Sequence, residues 1–93
     1  MNANLDQDMF SAYERVSSVK EAFKEDLLAK PNVIGVGVGL REREGELTDE
    51  IVLVVLVTKK LPRTEIKADD LIPTEIEGVP IDVQEVGEIA AGV

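Results

Sequence analysis

The chain has 93 residues, 44% hydrophobic and 31% charged, which suits one compact domain and leaves no room for two cores. It contains neither cysteine nor histidine, so disulfide frameworks, ordinary zinc, haem and iron–sulfur sites, and His-dependent Ser or Cys nucleophiles are excluded. A formal net charge of −9 and a pI near 4.4 repel phosphate backbones and anionic headgroups, which argues against nucleic-acid and membrane partners.

Met1 to Asp6 lacks the basic and apolar regions of a signal peptide, and no apolar run approaches the ~20 residues of a membrane span, so the expected localisation is cytoplasmic. From Leu5 to Leu28 the positions Leu5, Met9, Tyr13, Val16, Val19, Phe23 and Leu27 recur at three- and four-residue steps, which predicts an amphipathic helix covering a sheet. Asn4 is placed to cap it, with Gln7 in capping-box register and Asp6 and Asp8 complementing the dipole. Pro31 ends it. Aromatic residues are only 3% of the chain, so Phe10, Tyr13 and Phe23 are the sole large plates available to a core of Val, Ile and Leu.

Val33 to Leu40 reads as a strand with Ile34, Val36, Val38 and Leu40 on one face and Gly35, Gly37 and Gly39 on the other. Glycine weakens a strand interior, so three at alternate positions predict that something bulky lies close to that stripe. Arg41 to Glu50, centred on Gly45, is the expected long polar tip of an antiparallel hairpin. Its second strand, Ile51 to Val57, is apolar at every position, which marks a central strand covered on both faces.

Lys59-Lys60-Leu61-Pro62 closes that strand, and Ala68 to Leu71 is expected to form one short helical turn before Pro73. Thr74 to Glu77 and Ile81 to Val86, flanking Gly78-Val79-Pro80, predict a second hairpin with its proline where no ladder donor is needed. Residues 1–4 and 88–93 carry no structural signal and are expected to be flexible ends of a single 1–93 domain. The predicted fold is α+β: a two-layer sandwich with a four-stranded antiparallel sheet of two hairpins, one long helix and one short helical turn, ordered α-β-β-α-β-β.

The glycine stripe is not a phosphate loop, because that chemistry needs a turn opening a helix, and a charged hairpin follows here instead. Glu42, Glu44, Glu46, Asp49 and Glu50 surround the first hairpin, but Arg41 and Arg43 alternate with them and no oxygen-cage spacing is present, so a solvated tip is expected. No carboxylate pair is singled out for glycosidic chemistry. The expectation is no enzyme, no catalytic residue, no metal and no cofactor.

Taken together, Val33 to Gly39, the valine-rich strand ending in Lys59-Lys60-Leu61-Pro62, Leu71-Ile72-Pro73 and Gly78 to Gly87 resemble the N-terminal module that precedes the peptidase domain in a group of bacterial trypsin-like serine peptidases. The resemblance spans about Asn32 to Glu88 and implies an alpha-lytic protease prodomain-like fold, acting as a folding aid or regulatory lid beside a peptidase. The catalytic His, Asp and Ser of that peptidase domain have no counterparts here, so no peptidase activity carries over. The chain reads as a stand-alone relative or a fragment.

One helix covers only part of a four-stranded sheet, so the second face is expected to be apolar and open, an interaction surface built from Gly35, Gly37, Gly39, Val52, Val54 and Leu56. The expected occupant is a protein: a peptidase-like domain, or a second copy in a two-fold homo-oligomer. A stand-alone oligomeric structural protein and a small-molecule or cation binder are the alternatives. The reading frame beyond Val93 and the neighbouring genes discriminate among them.

Overall fold

The computed structural model describes residues 3–86, with side chains described from Asp8 onward. It consists of helix α1 (Ala3–Leu28), strands β1 (Val33–Arg43) and β2 (Glu46–Val57), two 3-10 helices (Arg63–Glu65 and Ala68–Asp70), and strands β3 (Glu75–Ile76) and β4 (Val79–Glu85). The α+β class is as expected, and the long helix matches its periodicity. It begins at Ala3, however, so Asn4 lies inside the first turn instead of capping it. The capping partners Asp6 and Gln7 lie outside the described side chains, and residues 87–93 outside the described chain.

The helix packs through its C-terminal half. Val16, Val19 and Leu27 are buried against Leu53, Val55 and Val57 of β2 and Val79 and Ile81 of β4, with Val33, Val36 and Val38 of β1 joining at the margin. Lys24 donates to Glu21 at 3.3 Å on the solvent side, and that bond, with help from Lys20, holds the Glu21 carboxyl below the usual range. After Leu28 the chain turns through Pro31 and Asn32. Asn32 takes a left-handed φ of 75°, its side-chain amide donates to the Lys59 carbonyl, and its side-chain carbonyl accepts from the Thr58 hydroxyl, clamping the start of β1 to the end of β2.

The sheet departs from the expected all-antiparallel arrangement. Its order is β1-β2-β4-β3, with β1 antiparallel to β2, β4 antiparallel to β3, and β2 parallel to β4 through the register Leu53↔Ile81 to Val57↔Glu85. A parallel pair needs a crossover of a dozen or more residues, and the segment 58–78 supplies it. The expected single helical turn inside that crossover is two separate 3-10 turns. β2 is the central strand, as its unbroken apolar run requires, with Val52 to Val55 and Val57 all buried. Pro80 precedes the first β2–β4 rung at Ile81, so its missing N–H breaks no parallel ladder bond.

The first hairpin has a tight tip, not the long polar loop expected. Its strands pair out to Arg43↔Glu46, and Glu44 and Gly45 turn the chain with φ of 52° and 83°, positive at both central positions as a type I′ turn demands. Glu77 and Gly78 repeat the device between β3 and β4, with φ of 49° and 80°. Register shifts at both ends of β1, between Val33 and Gly35 and between Leu40 and Glu42, are bulges. The first takes Ile34 out of the alternation; the second falls beyond Leu40, which keeps its register with Ile51, and both side chains are exposed.

Candidate functional site

The glycine stripe lies on the sheet face opposite the helix, together with Val52, Val54 and Leu56 of β2 and Asp82 and Gln84 of β4. That face is not open along its whole length. Asp82 Oδ2 accepts from the Glu42 backbone N–H at 2.7 Å and Gln84 Nε2 donates to the Leu40 carbonyl at 3.1 Å, so the distal end of β1 reaches across β2 to β4. In a flat sheet β1 and β4 lie two strand spacings apart, about 9.5 Å, too far for these bonds. The bulge at Leu40 bends the hairpin arm over the outer face, and Val52 beneath it is completely buried.

What remains is a groove of about 330 Å³. Gly35, Gly37 and Gly39 form its floor, Val54 and Leu56 one flank, and Leu40 and Leu47 the lip presented by the arm. Of the six residues expected at this surface, five line the groove and Val52 does not. Leu47, at 67% exposure the most solvent-exposed of the large apolar side chains described, was assigned by sequence to a polar tip; only the fold-over of the arm brings it here.

The three glycines have different reasons to be glycine. A Cβ at Gly39 would sit 3.0 Å from Val54 Cγ2, and one at Gly35 would sit 3.2 Å from Leu56 Cδ1, so at these two positions the chain's own β2 side chains lie across β1. A Cβ at Gly37 would meet nothing within 4 Å. Among the described residues, the bulky neighbour anticipated over the stripe is thus internal at both ends, and none lies over its centre.

β1 is also an edge strand. Among the described residues it pairs only with β2, which leaves the backbone groups on its outer side available to another strand. Among the described residues no group of three His, Cys, Asp or Glu side chains could hold a metal ion. Arg41 and Arg43 both reach Glu50, at 2.8 and 3.8 Å, which ties up part of the acidic hairpin as a surface ion-pair cluster. No described helix is long and apolar enough to cross a membrane.

A second apolar patch lies on α1, where Met9, Phe10 and Tyr13 are about half exposed on the turns before Val16. No protein-family model matches the chain, and no curated protein matches it in sequence.

Proposed function

We propose that this domain is a non-catalytic protein-interaction module that takes an extended segment of a partner protein by strand addition along β1, with one apolar side chain of that segment seated over Gly37. The observation that carries the reading is Gly37 itself. A glycine inside a strand costs roughly 0.5–1 kcal/mol relative to alanine, and at Gly37 internal packing does not repay that cost. The free edge supplies main-chain hydrogen bonds and the groove supplies a side-chain pocket, the two components of recognition by β-augmentation.

Charge decides between occupants. With a net charge of −9 per chain, a second copy approaches against like-charge repulsion, whereas a segment with basic flanks is steered in. The resemblance to modules that precede trypsin-like peptidases supplies the partner class, a peptidase-like domain for which this module is a prodomain-like or regulatory companion.

A display library of random twelve-residue peptides, panned against the wild-type chain and against Gly37→Val, tests the reading. The expected result is enrichment of extended apolar sequences with Lys or Arg flanks, lost with Gly37→Val while the melting temperature stays at or above that of the wild type. Enrichment that survives Gly37→Val moves the site elsewhere. A wild-type dimer at low micromolar concentration by sedimentation equilibrium, disrupted by the same substitution, replaces the foreign segment with a second copy.

A further inference from the structure

A separate cavity of about 380 Å³ lies beneath the crossover, on the opposite side of the molecule's logic from the glycine groove: it belongs to the loops and the core, not to the strand edge. Val57, Ile72 and Val83 close its inner side, and Leu61, Ile66 and Leu71 from the crossover line its outer side. Its rim carries Lys59, Lys60, Arg63 and Lys67, four of the ten basic residues of the chain. Against them stand Glu65 and Asp70 in the lining and the Glu85 carboxylate beside Lys60, so the site bears a local excess of one positive charge in a molecule whose total is −9.

Carboxylates outnumber basic residues 19 to 10 in the chain, yet among the described residues these four cations form no ion pair. The frame around them is nevertheless held. Arg63 Nη1 donates to the Ile72 carbonyl at 3.2 Å, which spends one of its five N–H donors and leaves the rest of the fork for an anion. The Lys60 backbone N–H donates to Glu85 Oε1 at 2.6 Å, and Lys30 Nζ donates to the Asp69 carbonyl at 2.9 Å. Both 3-10 turns close on their own backbone bonds, Glu65 to Pro62 at 2.9 Å and Asp70 to Lys67 at 2.8 Å.

We propose that this cavity binds a small amphiphilic carboxylate, an alkyl or aryl body of modest length with one anionic head. The apolar lining takes the body, and the solvent-exposed basic rim takes the head, so the charge interaction is screened by salt while the apolar body supplies most of the affinity. The volume of about 380 Å³ falls at the low end of small-molecule sites, which suits a small ligand better than a nucleotide. The site is independent of the strand-addition reading, since no residue lines both cavities.

Octanoate is the probe, with octanol and acetate as the two half-ligands, added to the full chain while backbone amide shifts and melting temperature are followed. Octanoate is expected to move the amides of Val57, Leu61, Ile66, Ile72 and Val83 and to raise the melting temperature, with neither half-ligand doing so at the same concentration. Lys59→Gln with Lys67→Gln is expected to weaken octanoate at least tenfold while leaving the melting temperature of the free protein in place. Equal binding of octanol, equal binding to the double variant, or shifts confined to the glycine groove overturns the proposal. So does the absence of any shift at millimolar octanoate.

Discussion

Gly39 and Gly35 face different neighbours, and that difference decides what each tolerates. Val54 is 8% exposed and β-branched, so it has no second rotamer into which to retreat from a Cβ placed 3.0 Å away. Leu56 is only half-buried, and the atom nearest Gly35 is the far end of a flexible side chain. Gly39→Ala is therefore expected to lower stability by about 1 kcal/mol or more, the range of mild overpacking. Gly35→Ala is expected to be close to neutral, and Gly37→Ala to gain roughly 0.5–1 kcal/mol from strand propensity. Chemical denaturation of the three variants orders them, and a Gly37→Ala protein less stable than Gly39→Ala would show that the centre of the stripe is packed after all. The stripe itself was legible in the period-two spacing of residues 35, 37 and 39. Which glycine is forced was not, because that depends on how far Val54 and Leu56 lean across from a strand paired only in space.

The long helix shows what periodicity reports and what it omits. Met9, Tyr13 and Val16 share one stripe, yet Val16 is 1% exposed and Tyr13 53%. A 26-residue helix is about 39 Å long, and among its described side chains those in the core begin at Val16, so the stripe continues past the turns that pack on the sheet. Spacing identifies a face; it does not tell where the layer below ends. Val16→Ala, which removes two buried methyl groups, is expected to cost about 2 kcal/mol, and Phe10→Ala less than about 0.5 kcal/mol. Paired urea melts measure both, and a comparable loss for Phe10→Ala would mean that the projecting turns are covered in solution. Parallel pairing of β2 with β4 was hidden for a related reason. Ile81 and Val83 alternate in the same way whichever direction the neighbouring strand runs, and only the path of 58–78 decides. Both tight turns were partly legible in Gly45 and Gly78, but Glu44 and Glu77 are unusual partners for a left-handed turn position and obscured the two-residue loop.

Charge acts on the whole molecule. With 19 acidic against 10 basic residues the folded chain repels itself, and salt screens that repulsion over a Debye length of about 8–10 Å. Sodium chloride is expected to raise the melting temperature, by about 4–8 °C for each kcal/mol of repulsion relieved. Calcium and magnesium chlorides at equal ionic strength are expected to superimpose on that curve, because the described acids form no cluster suited to a metal ion. A calcium- or magnesium-specific rise of several degrees would place a cation site in the acidic hairpin.

The bulges that frame β1 also limit how this protein can go wrong. An exposed edge strand invites endless addition of copies, and a long, regular, uncharged edge is the template from which fibrils grow. Here the regular stretch runs only from Gly35 to Leu40, with Ile34 bulged out at one end and Arg41, Glu42 and Arg43 on the bent arm at the other. Such an edge has room for one short guest strand and no continuing ladder, so stickiness toward a partner is kept apart from self-propagating aggregation.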